Sequence, residues 1–276
     1  MIVKKLQLKD YFEFLGENGA NPTLDVYLPD EVMNRADFKR PSMLICPGGG
    51  YSMCSPREAE PIALHFLPEG FNVFVLWYTC APAKFPTQIC EVAAAMELIY
   101  KNAKEWYCDT EKISVIGFSA GGHLAAHYST SFDCAEVREI FPESKAPAAS
   151  VLCYPVISAV EGKCHIGSFE RLVGNYPLND EQMKRFSLEN AVKENTPPAF
   201  IWHTASDTIV PVYSSLVYAN ALSEYKIPFE LRIFPEGQHG VATCDEKTLD
   251  DFKRCYPYDK VWIKEAIDWL KYMNKA

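Results

Sequence analysis

The chain has 276 residues, 48% of them hydrophobic, which is enough to bury a full core as a single α/β domain. Its 27 basic and 36 acidic residues give a formal charge of −9 with no basic run, which argues against nucleic acid or an anionic membrane as a partner. Met1–Asp10 is not followed by an apolar signal stretch, no segment of about 18 apolar residues occurs, and the ten cysteines include no CxxC pair or metal-ligand spacing. A soluble, cytoplasmic protein with reduced thiols and no metal or organic cofactor is expected.

Strand and helix signals alternate along the chain. Strands are expected at Thr23–Leu28, Met43–Cys46, Asn72–Trp77, Ile113–Gly117, Ala148–Tyr154, Ala199–Thr204 and Phe229–Phe234. Helices are expected at Arg57–Leu67, Gln88–Lys104, directly after Ser119, and at about Asp259–Tyr272. In the last of these, Val261, Trp262, Ala266, Trp269 and Leu270 recur at helical spacing as a core stripe. This alternation implies a mostly parallel central sheet with helices on both faces, in one domain over residues 1–276. The stretch from Tyr154 to Ala199, about 45 residues, is long for a simple connection, so residues 155–197 are a candidate cap. A surface excursion with a short helix at Glu181–Phe186 is the alternative.

Within this frame Gly117-Phe118-Ser119-Ala120-Gly121 joins a strand to a helix, the context of a nucleophile elbow, and makes Ser119 the candidate nucleophile. Serine needs a neighbouring base to take its proton. Gly117 and Gly121 flank a turn where a Cβ would collide with the neighbouring strand and helix. Asp207 follows the strand ending at Thr204, and His239 sits in the glycine-flanked loop after the strand ending at Phe234. The order Ser119, Asp207, His239 is that of α/β-hydrolases. Pro47-Gly48-Gly49-Gly50-Tyr51 leaves another strand with bare backbone N–H groups, which assigns an oxyanion hole to Gly49, Gly50 and Ala120.

The remaining histidines have quieter readings. His123 and His127 fall on the helix behind the elbow as packing residues, His65 lies on an early helix, and His203 is core or supports the site from behind. His165 lies in the candidate cap with its role open. Tyr51, Trp77 and Tyr78 are candidates for an acyl or sugar pocket, with core packing as the alternative. Arg57 and Glu58 are placed near the mouth without a role.

The blocks PGGGY, GFSAGGH, WHTASDTIVP and FPEGQHG, in this order over about residues 23–272, resemble α/β-hydrolase esterases of the acetylxylan-esterase-like and hormone-sensitive-lipase-like group. Pro47 stands where the lipase-like branch has His, which brings the resemblance nearer the sugar-esterase branch. The resemblance implies a carboxylester hydrolase for short acyl groups, with acetylated sugars as small-molecule substrates. Two other readings stand beside it. A peptidase or amidase would use the same triad, but the prolyl-oligopeptidase-like group carries a propeller that 276 residues cannot hold. A non-catalytic binding protein would not need Ser119, Asp207, His239 and the glycine loop together.

Overall fold

A computed structural model describes residues 1–15, 20–30, 38–248 and 255–275. The apolar run ending in Ile113-Ser114-Val115-Ile116-Gly117-Phe118 closes the central strand of an eight-stranded sheet. In chain order the strands are β1 (Ile2–Gln7), β2 (Thr23–Leu28), β3 (Arg40–Cys46), β4 (Asn72–Trp77), β5 (Cys108–Phe118), β6 (Ser150–Cys153), β7 (Ala199–Thr204) and β8 (Phe229–Phe234). Their spatial order is β1-β2-β4-β3-β5-β6-β7-β8. β1, β2 and β4 pair antiparallel, and every pairing from β4 through β3 to β8 is parallel.

Helices cover both faces: α1 (Glu60–Phe66), α2 (Thr87–Lys101), α3 (Ala120–Ser131), α4 (Ala135–Ile140), α5 (Ile166–Val173), α6 (Asp180–Phe186), α7 (Tyr213–Glu224) and α8 (Val261–Met273). The twofold period of a strand sorts the core into two layers. Leu44 and Cys46 pack with residues of α2, α3 and α7. Met43 and Ile45 pack with residues of α1 and α8. Because β3 and β5–β7 are covered on both faces, they read as continuous apolar runs.

The structure corrects several boundaries. The helix expected at Arg57–Leu67 divides into a 3₁₀ turn at Pro56–Glu58 and α1, because Pro61 has no N–H to donate and fits only the first turn of a helix. α2 stops at Lys101, where the Asn102 side chain caps the Leu98 carbonyl at 2.8 Å. In α8 the buried stripe contains Trp262, Ile263, Ala266, Ile267, Trp269 and Leu270, whereas Val261 is exposed. Residues 155–197 hold both α5 and α6. Among the described residues no helix is long and apolar enough to cross a membrane.

Candidate active site

The parallel strands end on one edge of the sheet, and that edge collects the chemistry. β5 delivers Ser119 with φ 53° and ψ −118°, a left-handed conformation that lifts the side chain out of the strand before α3 begins. The turn is locked from both sides. Ser119 donates its N–H to Cys153 at 3.0 Å, and its carbonyl accepts from His123 and Val156. A Cβ on Gly121 would stand 2.1 Å from the Cys46 carbonyl oxygen, and one on Gly117 would stand 2.1 Å from that of Gly121. These two positions therefore exclude any larger residue.

The loops after β7 and β8 bring Asp207 and His239 to the same point. His239 Nε2 lies 2.7 Å from Ser119 Oγ, and His239 Nδ1 lies 2.6 Å from Asp207 Oδ2. The carbonyl oxygen of Gly237 accepts from the hydroxyls of Thr204 and Ser206, and the Gly237 N–H returns to Ser206 Oγ, so the two loops are stitched together. Burial alone would raise the Asp207 pKa. Hydrogen bonds from His203 and His239, together with the nearby His239 charge, outweigh that effect and hold the carboxyl well below the usual carboxylate range. His203 is fully buried. It contacts Ser215 Oγ through Nδ1, donates Nε2–H to the Val210 carbonyl, and lies 3.3 Å from Asp207 Oδ2. It thus backs the carboxylate without reaching the cavity.

Gly49 and Gly50 have φ values of 132° and 62° and face the cavity that contains Ser119 and His239. The Gly48 N–H points elsewhere, donating to Glu58 Oε2 at 2.8 Å. Ala120 is the first residue of α3, so its N–H is among the four that no helical turn satisfies. The cavity measures about 590 Å³, within the range of small-molecule sites. Arg57 and Glu58 line it together with His165 and Arg171 of the 155–197 segment.

Tyr51, Trp77 and Tyr78 do not line this cavity. Tyr51 follows Gly50 with φ 58°, and its side chain turns into the core, where the hydroxyl meets His123 Nδ1 at 2.9 Å. Tyr78 is buried and donates to the Pro47 carbonyl, and Trp77 donates to Asp25 on the antiparallel side of the sheet. All three support the glycine loop or the sheet. The sequence reading also passed over Tyr154, whose ring lies 5.2 Å from that of His239 at 73°. Its position directly after β6, on the edge that carries Ser119, is the signal that could have found it.

A BD-FAE family model matches residues 24–222. The chain belongs to the BD-FAE family. It is 39% identical over 247 residues to endo-1,4-beta-xylanase B of Butyrivibrio fibrisolvens, covering 86% of this chain and 37% of that protein. It is 29% identical over 249 residues to the acetylxylan esterase of Xylanibacter ruminicola, covering 89% of this chain and 47% of that protein. This BD-FAE chain therefore spans less than half the length of these two relatives. The crystal structure of an acetyl ester-xyloside bifunctional hydrolase from Caldicellulosiruptor lactoaceticus is 34% identical and superposes with a TM-score of 0.84, covering 98% of this chain and 96% of that one. The fold is that of the α/β-hydrolases, and its relatives include esterases and ester hydrolases.

Proposed function

We propose that the protein is a serine carboxylesterase acting on short acyl esters, with acetyl groups on saccharides as its substrate class. The observation that carries this reading is the 2.7 Å contact between Ser119 Oγ, raised on its left-handed turn, and Nε2 of a histidine whose Nδ1 is held by Asp207. Ser119 attacks the ester carbonyl and His239 takes its proton. The N–H groups of Gly49, Gly50 and Ala120 hold the oxyanion, each donor of this kind lowering the barrier by about 2.7–4 kcal/mol. The imidazolium then protonates the departing alcohol, leaving an acyl-Ser119. Water, deprotonated by His239, releases the carboxylic acid. Asp207 fixes the tautomer and stabilises the imidazolium.

Support for the acetyl-saccharide class comes from the acetylxylan esterase and acetyl ester-xyloside hydrolase relatives. The mixed lining of the cavity, with Ser52, Ser55, Arg57, His165 and Arg171 on its walls, fits a hydroxyl-rich leaving group. In this proposal residues 1–276 are one hydrolase domain and 155–197 act as its cap, since α5 supplies Arg171 and His165 lies directly before it. A cytoplasmic setting belongs to the same reading, resting on the scattered cysteines without CxxC pairs. The deciding experiment measures hydrolysis of p-nitrophenyl acetate and acetylated xylo-oligosaccharides by the wild type and Ser119→Ala, alongside fluorophosphonate labelling. Turnover that needs Ser119, with the label on Ser119, is expected. Full activity in the alanine variant, or a label on another serine, would overturn the assignment.

A further inference from the structure

Glu58 is 3% exposed at the edge of the cavity, and both of its oxygens are occupied. Oε2 accepts the Gly48 N–H at 2.8 Å, and Oε1 accepts the Tyr154 hydroxyl at 2.7 Å. The Tyr154 hydroxyl in turn accepts the Ala242 N–H at 3.1 Å. These contacts form one continuous chain, from the residue before Gly49 to the loop that carries His239. We propose that Glu58 is a positioning residue: its buried carboxylate fastens the glycine loop to the histidine loop and so fixes the oxyanion donors relative to His239. The inference rests on the serine-hydrolase reading and adds to it a carboxylate outside the Ser119–His239–Asp207 contacts.

Three physical points support it. A loop containing three consecutive glycines loses more conformational freedom on ordering than any other composition, so it needs an anchor, and the Gly48–Glu58 bond supplies one. Both donors point at Glu58 and each needs an acceptor, so the arrangement fits the ionised carboxylate. A protonated acid would place a hydrogen against one of them. The ionisable groups facing it are Tyr154, His239, Arg57 and Cys153. Burial raises the carboxyl pKa above its ordinary value, and the bonds from Tyr154 and Gly48 and the charges of His239 and Arg57 offset that push only in part. Each carboxylate oxygen is engaged by one of these donors, and neither bond involves Ser119, His239 or Asp207. The effect of Glu58 on the reaction passes through the two loops and through its negative charge beside His239.

Glu58→Gln keeps the shape, removes the charge and turns one acceptor into a donor. With p-nitrophenyl acetate, and rates normalised to the fraction of Ser119 labelled by a fluorophosphonate, kcat is expected to fall about 10–100-fold with KM within about threefold. The acid limb of the kcat/KM profile should move to lower pH, because the imidazolium loses a neighbouring negative charge. Glu58→Asp, which retains the charge, should return the limb toward its wild-type position. The His239 pKa read by NMR gives the same test without turnover, so a failure of the esterase reading is distinguishable from a failure of this one. A lower His239 pKa in Glu58→Gln supports the proposal, and an equal pKa overturns it. If Glu58→Gln does not fold, Tyr154→Phe removes one donor to the carboxylate and the acceptor of Ala242 while leaving the charge in place, so the loss of kcat at near-constant KM is its readout, and a wild-type kcat overturns the proposal.

Discussion

Asp207 Oδ2 lies 2.6 Å from His239 Nδ1, while Oδ1 of the same carboxylate accepts the backbone N–H groups of Ile209 and Val210 at 2.9 and 3.0 Å. This division of labour dictates what Asp207→Asn does. The amide oxygen must stay with the two N–H groups, so the NH₂ faces His239 and forces its proton onto Nε2, against Ser119. The imidazole then donates where it must accept. In a Ser-His-Asp protease the corresponding change lowers kcat about 10⁴-fold, and a loss of that order with an unchanged circular-dichroism spectrum is expected. Asp245 is tied up by Lys260 and Thr243, so Asp245→Asn should leave the rate nearly intact. A larger loss from Asp245→Asn than from Asp207→Asn would identify the wrong carboxylate.

Acyl-chain length tests the cavity. Among its described walls, Met53, Pro56 and Ile209 offer apolar side chains, and Arg171 stands beside Gly50 with its Nη1 3.2 Å from the Gly50 carbonyl oxygen. Added methylenes therefore meet charged and polar groups that do not reward their burial. Across p-nitrophenyl acetate, butyrate and octanoate, kcat/KM should fall at least about tenfold from first to last, which is within the discrimination a binding pocket supplies against added methylenes. Equal or higher activity on octanoate would return the chain to the lipase-like branch.

The strands from β2 to β8 were legible because burial on both faces makes most of them plain apolar runs, and the elbow because Gly117 and Gly121 are dictated by backbone contacts within the same turn. β1 was not legible. Its residues are largely exposed and include Lys4 and Lys5, the polar dress of an edge strand, so no apolar pattern marks it. The first turn of α5, after Ile166, holds Gly167 and Ser168, both weak helix formers, which hid it inside the long connection. Tyr51 stayed open between pocket and core because it adjoins the glycines. Which way a side chain turns after Gly50 depends on the φ values of two consecutive residues, and neither is written in composition. Glu58 could be placed near the mouth but given no role, because the tyrosine that gives it meaning is 96 residues away.

The packing behind the elbow gives a stability prediction. Gly121→Ala would place a Cβ 2.1 Å from the Cys46 carbonyl oxygen and 2.3 Å from that of Pro47, both backbone atoms that cannot swing aside. The end of β3 must move, at a cost of about 1–3 kcal/mol, the usual range for overpacking. Since Gly49 and Gly50 follow directly, kcat should fall as well. Urea unfolding and acetate-ester turnover measure the two effects. A stable variant with wild-type kcat would show that the glycine loop does not depend on this contact.

His123 couples the same region to pH. Its Nε2–H donates to the Phe186 carbonyl at 2.9 Å and its Nδ1 accepts from the Tyr51 hydroxyl at 2.9 Å, so both bonds fit the neutral ring. Complete burial pushes its pKa down to about 4, the bond to Phe186 opposing that shift only in part. The folded pKa is thus below the unfolded value of about 6.5, and on acidification the unfolded chain takes the proton first. Stability from this group is complete above about pH 6.5, is lost progressively down to about pH 4, and changes no further below that. Between pH 7 and 5 the loss is about 2 kcal/mol from His123 alone, and His127, which burial pushes the same way, adds to it. Urea unfolding at both pH values should show the wild type losing about 2 kcal/mol more than His123→Gln over this interval. An NMR titration should find the His123 ring neutral at pH 5. Equal pH dependence in the two proteins, or a ring already charged at pH 5, would show that the pocket formed by Tyr51, His123 and Phe186 opens to admit a proton.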